Sequence, residues 1–389
     1  MERVLIFSLA YYPHVGGAEI AVKEITDRIR DIEFHMITMR FDPRDAEVEK
    51  LGNVIVHRVG KSASYLSKIL FIPRAAWTAR TLHRTYNFGA AWVVMTYMVL
   101  PLVLLRRLGV TLPYVLNLQD GDPFERVFKR WFIVPVRPLI ISGFHNASVV
   151  QPLSNFLAQW ARELGYKGTV NVIPQGVDLP HFQQEFSPAE IAAFKQTLNK
   201  KEGDVFLITT SRLVHKNAID DAIRAMPLLP AHVQFVVYGT GTEERSLKSL
   251  ARELGVENRV QFLGHIGHND MPKYLRVCDI FIRPSRTEGF GSSFVEAMAA
   301  GLPVIATQEG GIADFLFDAR RNPGKLATGW AVDKDAPEQI AAAVKDILDN
   351  PQRTQKIVDH AREMVMLHYD WGLVASRMRQ EVFAPILHS

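Results

Sequence analysis

The sequence predicts an α/β protein built from two Rossmann-like, doubly wound parallel-sheet domains that face each other across a cleft. Three observations predict it. Short apolar runs recur along all 389 residues, most of them separated by helix-length segments. That alternation gives parallel strands with helices on both faces. The runs fall into two sets, with Gly176 and the polar stretch after Asp178 between them, and the chain is long enough for each set to bury its own core.

In the first set, strands are expected at residues 4–8, 34–38, 54–59, 92–97, 114–118, 147–150 and 170–173. In the second they are expected at 205–210, 234–238, 260–263, 280–283, 304–306 and 330–332. One domain then covers residues 1–178 and the other 179–370, with a C-terminal helix at about 371–389 packing back on the first. Residues 89–105 are uncharged, and 17 residues is the lower edge of membrane-spanning length. Pro101 interrupts them, so they read as a buried strand that hands over to a helix on the sheet.

Residues 280–307 say most about chemistry. Ile280-Phe-Ile282 is compact and apolar, as a buried parallel strand should be, and Pro284 ends it. Gly289 and Gly291 let the backbone turn tightly and approach a ligand. Ser292 or Ser293 is expected to cap a helix through Ala297, Met298 and Ala300, which Gly301 closes and Pro303 stops. A helix start beyond the carboxyl end of a strand is an anion site. Glu288 just before this helix and Glu296 one turn into it face the same crevice. The first can reach a sugar hydroxyl and the second can accept hydrogen bonds from a ribose diol.

Glu288 and Glu296, inside the frame EGFG-helix-AxGxPVIA, resemble the Glu-x7-Glu motif of retaining nucleotide-sugar glycosyltransferases of family 4, which have the GT-B fold. The likeness covers nearly the whole chain, through Tyr12-Pro-His-Val-Gly-Gly-Ala-Glu19, Val172-Ile-Pro-Gln-Gly-Val-Asp178, Ser211-Arg-Leu-Val-His-Lys216, Tyr238-Gly-Thr-Gly241, Arg259-Val-Gln-Phe-Leu-Gly264 and Tyr369-Asp-Trp371. The resemblance implies that Arg212 and Lys216 hold the donor diphosphate and that the backbone near His265 and Ile266 holds the base. Gly16 and Gly17 read as a tight turn whose amides close over the donor phosphates. Gly239 and Gly241 allow another close approach, and Phe290, Gly291, Ser292 and Ser293 complete the donor loop. As a dinucleotide fingerprint Gly239-Thr-Gly241 is incomplete, because Glu244 stands where a third glycine is expected.

Relatives often carry a histidine at the position of Gln119, contacting the transferred sugar near O6. Gln119 can donate and accept hydrogen bonds but carries no proton, so the general base is left open, with Asp120 the nearby carboxylate. Asp120-Gly-Asp122 resembles the DxD of metal-dependent GT-A enzymes, yet it also suits a simple turn, and no metal ligand is assigned. No cofactor is expected, the nucleotide-diphosphate-sugar being a co-substrate. Ser211, Gln175 and Asn217 replace the family's usual glycine, asparagine and glycine. No well-placed nucleophile can be read, so retention by front-face departure through an oxocarbenium-like ion pair is favoured, with Arg212, Lys216 and the helix start stabilising the leaving diphosphate. A sugar-nucleotide epimerase or hydrolase would use the same residues without an acceptor, and a non-catalytic scaffold would bind without turnover. The donor base is undecided between UDP, GDP and ADP.

Composition is that of a globular protein, 48% hydrophobic and 22% charged. The single cysteine, Cys278, excludes an internal disulfide and reads as packing in an apolar strand. The N-terminus runs straight into a strand without a leader pattern, so a cytoplasmic protein is expected, at the inner face of the membrane. Residues 51–140 carry 12 Lys and Arg against 3 Asp and Glu. Within them Arg126, Lys129, Arg130 and Arg137 interleave with Phe124, Phe128, Trp131, Phe132, Ile133 and Val134. Such a segment suits the surface of an anionic membrane, where each cation contributes about 1 kcal/mol. No helix-turn-helix, zinc-ligand or RNA-recognition pattern accompanies it, so nucleic acid is not an expected partner. The expected acceptor is a glycan or lipid-linked hydroxyl of the bacterial surface.

Overall fold

Apolar runs without polar alternation must be covered on both faces, which is why they form the centres of two parallel sheets. The computed structural model describes residues 1–131 and 133–388. Contacts divide them into two units, Met1–Gly176 with the segment from Trp371 onward, and Val177–Asp370.

The first unit has an eight-stranded sheet, β1 (Glu2–Phe7), β2 (Ile32–Met39), β3 (Val48–Leu51), β4 (Val54–Val59), β5 (Ala90–Val94), β6 (Tyr114–Leu118), β7 (Val149–Pro152) and β8 (Thr169–Val170). Their order is β3-β4-β2-β1-β5-β6-β7-β8. Val4 lies between Phe34 and Ala90 in register, and every residue of β5 and β6 is buried. Helices α1 (Gly17–Arg28), α2 (Tyr65–Tyr86), α3 (Val99–Arg107), α4 (Phe124–Phe128), α5 (Arg137–His145) and α6 (Asn155–Glu163) connect the strands.

Strands β7 and β8 are shifted by one to three residues from the expected 147–150 and 170–173, and two further features differ from the sequence expectation. Strand β3 is unforeseen and pairs antiparallel with β4. Its polar, half-exposed Val-Glu-Lys-Leu has no buried face to announce it. The strand expected at 92–97 stops at Val94, because Met95 takes φ 73° and Thr96–Met98 turn as a 3-10 helix into α3. The uncharged stretch 89–105 is therefore strand, turn and helix. Among the described residues no helix is long and apolar enough to cross a membrane.

The second unit opens with α7 (Leu179–Phe182) and α8 (Pro188–Thr197). Its all-parallel sheet contains β9 (Val205–Thr210), β10 (Val233–Tyr238), β11 (Val260–Gly264), β12 (Ile280–Arg283), β13 (Val304–Thr307) and β14 (Trp330–Val332), in the order β11-β10-β9-β12-β13-β14. Around it lie α9 (Ile219–Ala225), α10 (Glu244–Glu253), α11 (Met271–Val277), α12 (Ser292–Ala299), α13 (Pro337–Asp349) and α14 (Pro351–His368). Cys278 sits at the end of α11, not within a strand, and burial pushes its thiol well above the usual range.

After Asp370 the chain rejoins the first unit as α15 (Trp371–Arg377), a π-helical stretch Met378–Phe383 and α16 (Ala384–Leu387). Trp371, Val374, Met378 and Val382 enter its core, and the Phe383 ring stands 5.3 Å from Trp92 and 5.8 Å from Phe34.

Candidate functional site

Where strand order reverses in a doubly wound sheet, the loops at the carboxyl ends of the two flanking strands diverge and leave a crevice. In the second unit those strands are β9 and β12. The loop after β9 carries Arg212 and Lys216, and the loop after β12 carries Glu288 and leads into α12.

Backbone hydrogen bonds tie these loops to their neighbours. Ser211 N–H donates to the Tyr238 carbonyl at 3.0 Å, Leu213 N–H to Thr240 at 3.0 Å, Gly239 N–H to Gly264 at 2.7 Å and Arg286 N–H to Lys216 at 2.7 Å. His265 and Ile266 follow Gly264 directly, so they are brought beside Gly239. The approach demands glycine: a Cβ at Gly239, whose φ is +139°, would stand 1.7 Å from the Ser211 carbonyl oxygen, and one at Gly241 2.2 Å from that of Leu213. Asn217 Nδ2 donates to the Arg212 carbonyl at 2.6 Å and closes the turn that holds Lys216.

Arg286 braces the same turn from the other loop. It donates to both carboxylate oxygens of Asp220 at 2.9 Å, to Asp335 at 2.8 Å and to the His215 carbonyl at 2.8 Å. Burial and the adjacent Asp220 push Asp221 up to about 6.

Arg283 was read only as the last residue of a strand, and the structure puts it beneath the site. It is 6% exposed. Its Nη2 donates to Glu288 Oε2 at 2.9 Å, its Nη1 donates to Ser293 Oγ at 2.9 Å, and its guanidinium lies 4.2 Å from the centre of the Phe294 ring. Glu288 Oε1 accepts from Gly289 N–H at 3.0 Å, so both carboxylate oxygens are fixed. The Arg283 Nε has no hydrogen-bond partner among the described residues. Desolvation lowers the pKa of Arg283, Glu288 and Glu296 oppose that, and Arg212 adds to it. The available signal was an arginine ending an otherwise apolar strand, since a charge is seldom buried there unpaired.

Helix α12 starts differently from expectation. Gly291, at φ +93°, is the residue before the first turn, and Ser292 and Ser293 are the first two helical residues instead of caps. A Cβ at Gly291 would meet the Phe294 ring at 2.6 Å and Arg283 Nη2 at 3.1 Å. Gly291 offers no side chain to cap the helix, whose first turn carries the positive end of its dipole. Glu296, half-buried one turn in, is pushed up to about 7 by burial, with Arg283 opposing. Gly310 and Gly311, unforeseen, back the loop: Gly311 N–H donates to the Glu288 carbonyl at 2.9 Å, and a Cβ at Gly310 would stand 2.0 Å from that oxygen.

The Phe290 side chain does not line the crevice. It is 3% exposed and packs on Phe315 and Tyr369, with ring centres at 5.6 and 5.8 Å, as an apolar ring beside a core will. Only its backbone remains for a ligand.

In the first unit the order reverses between β1 and β5. Gly16 and Gly17 form a helix start here instead of a tight turn. Gly16 is extended before α1, and its N–H donates to Glu19 Oε2 at 2.7 Å, so that amide meets a phosphate only if Glu19 moves away. Gln119 is linked through Gln175 to the Gly17 carbonyl, which brings both predicted loops together. Asp120 is buried, its Oδ2 accepting from Thr96 Oγ1 at 2.6 Å, and burial raises its pKa. It clamps the turn at Met95, whose positive φ is strained for a non-glycine residue. Asp122 pairs with Arg130 at 3.3 Å and Arg126 at 3.6 Å.

The basic aromatic segment is only partly a surface. Phe124 and Phe128 pack edge-on against Trp160 at 5.6 and 5.9 Å, and Phe128 and Ile133 are buried, because these rings cover the sheet's helices. Trp131 is 84% exposed and Val134 54%, whereas Phe132 lies outside the described residues. A second exposed stripe lies on α2, where Leu66, Ile69, Leu70 and Trp77 share one face with Arg74 and with Arg80, whose guanidinium lies 5.8 Å from the Trp77 ring centre, while Phe71, Ala75, Ala76 and Ala79 face the core.

Residues 190–364 match the family model described as glycosyl transferases group 1. The chain is 27% identical to the GDP-mannose-dependent alpha-(1-6)-phosphatidylinositol monomannoside mannosyltransferase of Mycobacterium tuberculosis, over 97% of both chains. Among solved structures it resembles sucrose-phosphate synthase from Thermosynechococcus elongatus, with TM-score 0.84, 20% identity and 100% of both chains covered. It also resembles Anabaena HepE in complex with UDP and glucose, with TM-score 0.80, 19% identity and coverage of 99% and 100%. The fold is GT-B, and these matches support a glycosyltransferase.

Proposed function

We propose that the chain is a retaining, metal-independent glycosyltransferase of family 4 that moves a hexose from a nucleoside-diphosphate-sugar to a hydroxyl of a glycolipid or lipid-linked glycan. GDP-mannose is the first donor to test, since a relative alignable over nearly the whole chain is named for it. The reading is supported by the meeting of two loops at the β9–β12 crossover, where Arg286 N–H donates to the Lys216 carbonyl: one loop carries Arg212 and Lys216, and the other carries Glu288 and leads into the helix that bears Glu296.

Each group has a task. As the anomeric C–O bond breaks, its electron pair moves to the diphosphate. Arg212, Lys216 and the positive end of α12 stabilise that charge. Glu288, held by Arg283, orients the sugar, and Glu296 accepts from the ribose hydroxyls. The acceptor hydroxyl attacks from the face the leaving group departs. Its proton goes to the departing phosphate oxygen, a choice favoured by the engagement of Asp120 with Thr96. Charge neutralisation by Arg212 and Lys216 gives the diphosphate its counter-ions without an acidic metal cage, and Asp122 is already matched to Arg126 and Arg130.

The exposed α2 stripe, with Trp131 and Val134, is the surface proposed to rest on an anionic membrane at the cytoplasmic face, which would bring a lipid-linked acceptor within reach. Thermal unfolding with UDP, GDP, ADP and their sugars tests the donor assignment. A ligand at 100 times its Kd stabilises the fold by about 2.7 kcal/mol. GDP and GDP-mannose are expected to raise the Tm, and the absence of any shift with all of these nucleotides would contradict the assignment.

A further inference from the structure

Tyr369-Asp-Trp371 belongs to the likeness along the chain, but no polar group of the crevice described above comes from it. Tyr369 follows α14, and its N–H donates to the Val365 carbonyl at 2.9 Å. Its own carbonyl accepts from Val177 N–H at 2.6 Å, where the chain enters the second unit. The ring is buried, with its centre 5.8 Å from that of Phe290 and 6.3 Å from that of Phe315. Phe315 stands 6.0 Å from Phe294, the ring against which the Arg283 guanidinium lies. Tyr369, Phe290, Phe315 and Phe294 therefore make one aromatic cluster that reaches the Arg283–Glu288 pair.

The loop that bears Glu288 needs an anchor of this kind. Phe290 stands between Gly289 and Gly291, the residue type with the least restricted backbone, and Gly291 takes φ +93°. It is the only apolar side chain between Glu288 and Ser293, so its burial is what ties this stretch to the core. The ring meets Phe315 edge-on at 67° and Tyr369 at 32°, so it is held from two sides. Phe290, Phe294 and Phe315 come from one stretch of chain, residues 290–315. Tyr369 comes from another, and its backbone is held at both the N–H and the carbonyl, so it is the fixed side of the clamp. A displacement of about 1 Å in a group that orients a reactant can cost about 100-fold in rate, which makes the anchor of this loop part of the geometry of the reaction.

We propose that Tyr369 is a positioning residue for sugar transfer: by holding the Phe290 ring it fixes the Glu288 carboxylate and its Arg283 partner, without itself touching a substrate. The inference rests on the glycosyltransferase reading above and uses residues of the second unit alone.

The experiment compares wild type, Tyr369→Phe, Tyr369→Leu, Phe290→Leu and the double leucine variant, all in the full chain. Thermal unfolding, hydrogen exchange of peptides across the second unit, and kcat and KM for GDP release from GDP-mannose with a glycolipid acceptor are the readouts. Tyr369→Phe keeps the ring and is expected to stay within about twofold of wild-type kcat. Each single leucine variant keeps an apolar side chain and is expected to lower kcat about tenfold and to speed exchange in residues 286–294 while β9 and β10 keep their protection. The double variant is expected to lose no more than either single one, because both break the same clamp. Wild-type kcat in Tyr369→Leu, an equal loss in Tyr369→Phe, multiplicative losses in the double variant, or faster exchange spread evenly through the unit would overturn the proposal, the last because it marks a merely structural ring. Should Tyr369→Leu fail to fold, Tyr369→Met carries the same test with a side chain that fills irregular gaps. If the wild type turns over no nucleotide sugar, the functional reading fails and takes the positioning role with it, and exchange in residues 286–294 of the variants then shows whether the clamp itself stands.

Discussion

Arg283 and Glu288 form an ion pair at 2.9 Å with side chains only 7% and 13% exposed. Removing one partner of such a pair strands the other charge in a low dielectric and costs about 3–5 kcal/mol. Arg283→Met is therefore expected to lose stability of that order in chemical denaturation. Adding Glu288→Gln should return much of the stability and none of the turnover, because the sugar-orienting carboxylate is gone. Equal stability of Arg283→Met and wild type would refute the pairing.

Glu296 makes stability depend on pH in an unusual direction. Its folded pKa is raised to about 7, above the ordinary carboxyl value. The native state then binds more protons than the unfolded chain between roughly pH 4.5 and 7, so this contribution is complete at low pH and is lost as pH rises through 7. Glu296→Gln should flatten that slope, with a difference on the order of 3 kcal/mol across the window. Donor affinity should move oppositely, strengthening above pH 7 as the carboxylate forms. Parallel stability curves for wild type and Glu296→Gln would contradict the assignment.

Two glycines should respond in opposite ways. Gly239→Ala puts a methyl group 1.7 Å from the backbone carbonyl oxygen of Ser211, a residue held in place by its N–H bond to the Tyr238 carbonyl, and should cost at least about 3 kcal/mol or prevent folding. Gly17→Ala meets nothing nearer than 3.6 Å at a helix start and should change stability by less than about 1 kcal/mol. Circular-dichroism melts of the two variants decide it.

The α2 stripe gives a surface test. Leu66→Glu with Ile69→Glu should leave the Tm within a few degrees, both side chains being exposed, and should abolish flotation with vesicles containing anionic lipid. Undiminished flotation would remove α2 from the proposed contact.

Much of the fold was legible because buried parallel strands are nearly pure apolar runs. Val54–Val59, Tyr114–Leu118, Val205–Thr210, Ile280–Arg283 and Trp330–Val332 have the bounds read from sequence. Strand β3 was not legible, since its polar residues bury no face, and the Gly52-Asn53 turn before β4 was the only mark. At the site, charged residues on loops could be named, but their partners could not. Arg283 reaches Glu288 and Ser293 across a turn, and Gln175 reaches Gln119 across 56 positions, distances that only folding brings together. Phe290 and Phe128 show the converse: an aromatic side chain beside polar chemistry is still most stable inside the core.

The central claim is sugar transfer driven by Arg212 and Lys216. The measurement is acceptor-dependent turnover of nucleotide sugar by wild type, Arg212→Ala and Lys216→Ala, with the anomeric configuration of the product read by NMR. The account predicts equal amounts of released nucleoside diphosphate and glycosylated acceptor, an α-linked product from an α-linked donor, and turnover at least about 100-fold lower in each variant. Wild-type turnover in both variants, or nucleotide release without acceptor-dependent product, would contradict it.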